Sequence, residues 1–200
     1  MSFANRASAK VFRDKLEIPV IQGGMGVGIS MGKLAGSVAA CGGMGVISTA
    51  LIGFREEDFY QNHVEADVRA LRKEIQIAKE IADGRGMIAI NAMTVTTDYR
   101  ECIEAAVREG IDAIISGAGL PLALPELVDG KDVLIAPIVS SAKAAALIMR
   151  SWNKKCERKP DFIVVEGSGA GGHLGFKKEE LINKSYQPLT EIVSDVVKVC

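Results

Sequence analysis

Two hundred residues, 48% of them hydrophobic and 24% charged, make a chain long enough for one domain with a sizeable buried core. A formal net charge of −1 and a pI near 6.2 remove any electrostatic case for binding nucleic acid or an anionic membrane. The four cysteines, Cys41, Cys102, Cys156 and Cys200, form no C-x-x-C pair and stand far apart. That argues against a zinc site or a disulfide framework, and a reducing, cytoplasmic setting is the expectation. Residues 1–10 lack the apolar core of a signal peptide, and the apolar run 142–149 is far too short to span a bilayer.

In chain order, residues 1–17 read as a polar lead-in with a short helix. Residues 18–22 (Ile-Pro-Val-Ile-Gln) predict a buried strand, with Pro19 tolerated at its start. That strand runs into Gly23-Gly-Met-Gly-Val-Gly28, and Ser30 is the expected N-cap of a helix through Ala40. Small residues in that helix (Ala35, Gly36, Ala39) suit close packing on a sheet, and Gly42 and Gly43 close it. A second strand follows over 45–49. Residues 50–62, with Phe54, Phe59 and Tyr60, form either a loop laid over something or one packed on the next helix.

From residue 63 to 82, Val64, Val68, Leu71, Ile75, Ala78 and Ile81 recur at three- and four-residue steps, which predicts a long amphipathic helix. The third strand, 87–91, ends on Asn91. A helix over 98–109 stops at Gly110. Strands are then predicted at 112–116, 133–137 and 161–166. Ser140 or Ser141 caps a helix running to about Trp152, and a last helix covers 189–200.

Six unbroken apolar strands alternating with helices predict a parallel sheet buried on both faces. The strand ends carry the unusual residues: Gln22 to Met25, Ser48 and Thr49, Asn91, Ser116 to Gly119, Pro137, and Glu166 to His173. In such folds those ends share one face, where ligands bind. A closed eight-fold barrel needs two more units than the six counted. The final helix also stops at Cys200 without a cap signal, so residues 1–200 are expected to be a single domain forming the N-terminal part of a longer chain. If they were the whole protein, the outer strand edges would need cover from another chain, which is compatible with a homo-oligomer.

Gly167-Ser-Gly-Ala-Gly-Gly172 formally satisfies G-x-G-x-x-G. A dinucleotide site would place that pattern in the first βα turn and open a helix at once, and here it follows the sixth predicted strand. Gly24, Gly26 and Gly28 have the wrong spacing, and neither loop is a P-loop. What the second loop delivers is His173, one of two histidines, able to give or take a proton near neutral pH. Taken alone, the same residues suit a flexible turn with a surface histidine equally well. His63 heads a helix and reads as a surface or capping residue.

Three stretches together carry a resemblance: Ile18-Pro-Val-Ile-Gln-Gly-Gly-Met-Gly26, Gly42-Gly-Met-Gly-Val-Ile47 and Glu166-Gly-Ser-Gly-Ala-Gly-Gly-His173. In that order they resemble the nitronate monooxygenase (2-nitropropane dioxygenase) family, which is related to flavin-dependent enoyl-acyl-carrier-protein reductases. The resemblance implies an α/β fold, a TIM (β/α)8-type barrel here cut to about six units, with non-covalent FMN at the C-terminal ends of the strands. It further implies that Gly23, Gly24 and Met25 lie against the flavin ring and that Asn91 hydrogen-bonds its polar edge. Gly171 and Gly172 would present backbone N–H groups to the cofactor, and His173 would be the catalytic histidine. Glu166, which stands where the family often has glutamine, would be a further cofactor contact, and no metal is implied. The implied partners are a small-molecule substrate and oxygen. The implied reaction is oxidation of alkyl nitronates, with the enoyl reductase or an inactive barrel fragment as alternatives.

Overall fold

The computed structural model describes Phe12 and residues 15–200, so most of the predicted lead-in lies outside the described residues. Five parallel strands alternate with helices: β1 Met44–Ser48, β2 Met87–Met93, β3 Ala113–Gly117, β4 Leu134–Val139 and β5 Val164–Val165. Between and after them run α1 Gly32–Ala40, α2 His63–Ala82, α3 Tyr99–Arg108, α4 Leu124–Leu127, α5 Ala142–Cys156, α6 Lys178–Ile182 and α7 Leu189–Val199. The strands pair in the order β1-β2-β3-β4-β5, all parallel. Sequential order never reverses, so right-handed crossovers bring every helix to one face and the sheet curls toward a barrel. A doubly wound sheet would reverse its strand order.

The two faces carry separate cores, sorted by the two-residue period of the strands. Inside the curl lie Met44, Val46, Met87, Ala89, Ala113, Ile115, Leu134 and Ala136, with Phe12 and Phe162 stacked at 5.0 Å beneath them. Outside, Ile47, Ile88, Ile90, Ile114 and Ile135 meet the helices through Leu71, Ile75, Ile103 and Ile148. Trp152 is fully buried there, and its indole N–H donates to the Pro121 carbonyl at 2.9 Å.

Two of the six predicted strands are corrected. Residues 18–22 make only one bridge, Ile21 to Met44, and residues 161–166 contribute only Val164 and Val165. In both places backbone hydrogen bonds remain, such as Met44 to Val20 and Asp161 to Ile135, and a side chain shares the pairing. Gln22 pairs its amide with Val46, donating to the carbonyl at 3.0 Å and accepting from the N–H at 3.4 Å. Asp161 accepts the Ile135 N–H on its carboxylate at 2.8 Å, so the β4–β5 ladder starts only at Ile138 and Val164. The extended chain is present at both edges, but the regular ladder is not.

Helix ends are corrected as well. The cap of α1 is Met31, not Ser30, and α5 continues past Trp152 to Cys156. Of the two serines before α5, Ser141 is the cap, accepting from the Ala144 N–H at 3.2 Å. The long helix α2 occupies the predicted 63–82. No helix among the described residues is long and apolar enough to cross a membrane.

Candidate functional site

The strand register decides what the barrel mouth contains. Ser48, Asn91 and Ile115 are neighbours in one row, directly above the inward-facing Val46, Ala89 and Ala113. Asn91 therefore sits on the inner face toward the C-terminal end of β2, which continues two residues past the predicted end to Met93, half-buried, where the apolar interior gives way to a polar side chain. Its backbone carbonyl accepts from the Thr49 N–H at 3.0 Å and the Thr49 hydroxyl at 3.2 Å. Among the described residues no hydrogen bond engages its side-chain amide, which leaves a donor–acceptor pair facing the mouth.

The first glycine loop is laid on this row. A Cβ on Gly24 would collide with the Asn91 side chain, coming 2.9 Å from its Cγ; one on Gly26 would come 2.9 Å from the Ala50 Cβ. A Cβ on Gly28 would lie 2.7 Å from the Phe54 ring, and Gly53 donates to Asp67 of the next helix, so the 50–62 segment does both: it covers the glycine loop and packs on α2. Gly23, by contrast, has open space where a Cβ would stand, and Met25 is 46% exposed. The loop is tied from within by Ser30, whose fully buried hydroxyl accepts from Gln22 Nε2 and the Met25 N–H, both at 2.9 Å. The same hydroxyl donates to the Gly23 carbonyl at 3.2 Å.

Gln22 and Ser30 are the residues that sequence reasoning missed. Serine before an apolar-periodic run is a cap signal, and local pattern therefore points Ser30 to a helix cap. Nothing local distinguishes it from one that reaches back to a loop eight residues earlier. Three residues after it, at the N3 position, stands Lys33 where a capping box has Glu or Gln, and that is the one available hint. The Gly32 N–H that Ser30 leaves unserved is accepted instead by Glu74 of α2, at 2.7 Å.

The second glycine loop is a separate unit. Glu166 follows β5, and its backbone N–H donates to the Val139 carbonyl at 2.9 Å. One oxygen of its carboxylate is engaged by the chain itself: Oε1 accepts the Gly175 N–H at 2.8 Å. The Gly175 carbonyl in turn accepts from the Ser140 hydroxyl at 2.9 Å. Between these ends Gly169, Gly171 and Gly172 have nothing within 4 Å of a Cβ position, and Gly172 takes a φ of 82°. His173 is exposed at this tip, and among the described residues no hydrogen bond reaches its ring. No hydrogen bond among the described residues joins this unit to the Gly24–Asn91 unit. Both hang from the same end of the sheet.

Other strand-end polar residues serve the scaffold. Ser116 is fully buried against α3, its Oγ 2.8 Å from the Tyr99 hydroxyl, and burial pushes the Tyr99 phenol up to about 12. His63 is exposed at the head of α2 with Nε2 2.9 Å from Thr97 Oγ1. Beside it Asp67 accepts the Gly53 N–H at 2.6 Å, and its other oxygen is buried with no partner among the described residues. Burial, with a smaller contribution from Asp98, raises the Asp67 carboxyl to about 6 against the opposing Gly53 hydrogen bond.

Comparison with known proteins places this geometry. The profile of the nitronate monooxygenase family matches residues 9–200. A search of curated proteins found no match. Among solved structures, FabK from Thermotoga maritima superposes with a TM-score of 0.67 at 21% identity, covering 95% of this chain and 51% of that one. Nitroalkane oxidase from Streptomyces ansochromogenes superposes with a TM-score of 0.72 at 14% identity, covering 94% and 57%. At these identities the likeness establishes the barrel fold. The chain spans about half the length of the solved structures it matches.

Proposed function

The chain belongs to the nitronate monooxygenase family, and from that premise we propose that the full-length protein uses FMN to oxidise alkyl nitronates with molecular oxygen. The observation that carries this reading is Asn91: a side-chain amide with no partner among the described residues, turned to the barrel interior beneath a glycine loop. An amide there matches the donor–acceptor edge of a flat heteroaromatic ring. Gly23, Gly171 and Gly172, with no atoms around their Cβ positions, leave room for a cofactor against the backbone. The apolar side chains Met25 and Val27, 46% and 44% exposed, offer a ring face something to cover. FMN, when bound, supplies the capacity to pass electrons to oxygen that no side chain has.

The chain's own chemistry then falls to His173. A neutral nitroalkane must lose its α-proton before oxidation, and the imidazole takes it; a pre-formed nitronate needs only its negative charge stabilised. Such general base help contributes roughly 10²–10⁴ in rate. Purified full-length protein should be yellow. Its His173→Asn variant should retain the flavin and lose about that factor on the neutral nitroalkane while oxidising the nitronate nearly as the parent does. Equal rates for parent and variant on both substrates would sink the assignment of His173. The fold likeness to FabK supports a second reading, an NAD(P)H-dependent enoyl-thioester reductase on the same barrel. Anaerobic flavin reduction decides between them: by a nitronate for the first reading, by NADH or NADPH for the second.

A further inference from the structure

A histidine at the tip of a loop needs something to fix the loop if it is to meet a substrate at one distance. Side-chain packing does not do it here, since the glycines at 169, 171 and 172 touch nothing at their Cβ positions. Among the described residues the hydrogen bonds that hold the far limb of the loop converge on Gly175, two residues past His173, with Phe176 packed on the core just beyond it. The Gly175 N–H is taken by Glu166 and its carbonyl by Ser140, at 2.8 and 2.9 Å. These two side chains come from the ends of adjacent strands, Ser140 directly after β4 and Glu166 directly after β5. The Glu166 backbone is itself laced to β4 through the Val139 carbonyl, so the clasp is built on the sheet. Gly175 fits it because a Cβ would meet the Ser140 side chain, with Cβ at 3.0 Å, and the Glu166 carboxylate at 3.2 Å.

We propose that Glu166, with Ser140, is a positioning residue that closes the neck of the 167–175 loop and thereby sets where His173 stands. Its carboxylate is a loop clasp and not a flavin contact. The catalytic consequence rests on the proton-transfer reading above; the mechanical one does not. A hydrogen bond from a backbone N–H to a charged carboxylate is one of the stronger kind. Losing it frees the far limb of a loop that has few other contacts.

The test uses full-length protein and two substitutions, with hydrogen exchange of the peptide covering 167–175 as the activity-independent readout. Glu166→Ala should speed exchange of the Gly175 amide within this peptide by about ten- to a hundredfold, leaving the β1–β3 amides unchanged. Glu166→Gln keeps an acceptor oxygen in the same place and should fall between the parent and the alanine variant. In turnover of a neutral nitroalkane, Glu166→Ala should lower kcat with little change in KM, Glu166→Gln should restore part of it, and both should retain flavin. Parent-like exchange in Glu166→Ala, or exchange in Glu166→Gln as fast as in alanine, overturns the clasp. So does loss of flavin from Glu166→Ala with the loop still protected, which would return Glu166 to the cofactor. If His173→Asn proves fully active while Glu166→Ala still loosens the loop, the clasp stands and the proton-transfer reading alone falls.

Discussion

The two glycine loops of this chain are alike in composition and opposite in mechanics. The first, 23–28, is pressed onto the mouth of the barrel: Gly24 on Asn91, Gly26 on Ala50, Gly28 under Phe54, with Ser30 bonded into its interior. The second, 167–175, is fastened at its neck by Glu166 and Ser140, and its glycines at 169, 171 and 172 meet open space. Glycine serves close approach of backbone to protein in one loop and leaves backbone uncovered in the other. Glycine-rich sequence therefore says that side chains are unwelcome, but not whether protein or a ligand fills the room.

The contrast breaks most visibly at Gly24. Gly24→Ala forces a methyl into the Asn91 side chain at the end of a paired strand, which has no slack. A loss of about 3 kcal/mol in denaturant unfolding is expected, together with loss of flavin. Parent-like stability would mean that the loop does not rest on Asn91. Ser30→Ala removes one hydroxyl that serves Gln22, Met25 and Gly23 together in a fully buried position. About 2 kcal/mol should be lost, because the groups left behind are short of partners. If Ser30 were only a helix cap, substitution by Gly would cost a few tenths of a kcal/mol, so comparing Ser30→Ala with Ser30→Gly separates the two roles.

The third test reaches the first loop through its cover. Asp67 holds the Gly53 N–H, next to Phe54, and its carboxyl is raised from 3.8 to about 6 by burial, with Asp98 adding to the shift. Between those two values the folded chain keeps a proton that the unfolded chain has released. Stability therefore falls as pH rises from about 4 to about 6. Asp67→Asn keeps an acceptor for Gly53 and carries no charge, so it should be more stable than the parent at pH 7, on the order of 1–2 kcal/mol. It should also lack this descending step in a melting-temperature profile against pH. A parent and variant with parallel profiles would show that Asp67 titrates normally.

The smallest effect sharpens the comparison by its absence. Gly171→Ala places a methyl in open space, and apoprotein stability should stay within about 0.5 kcal/mol. Its flavin affinity should nonetheless drop if that space belongs to the cofactor, which a fluorescence titration with FMN reads directly.

Much of this was legible in the residues. Unbroken apolar runs separated by amphipathic helices announce a parallel sheet covered by helices, because a strand buried on both faces has no polar side to show. The helix over His63–Ala82 and the inward rank of Asn91, two steps beyond Ala89, follow from local periods that need no partner. The curl of the sheet follows less directly, from strand order. What local pattern left open were interactions closed between distant segments: Gln22 pairing with Val46, twenty-four residues on, Glu74 capping α1 across forty-two, and Asp161 taking the Ile135 N–H ahead of a ladder that begins only at Ile138 and Val164. Each involves a polar side chain of ordinary type whose partner is chosen by where the chain returns. A serine, a glutamine or a glutamate carries the same donors and acceptors wherever it stands. Only packing the strands side by side selects the one carbonyl or N–H within reach of it.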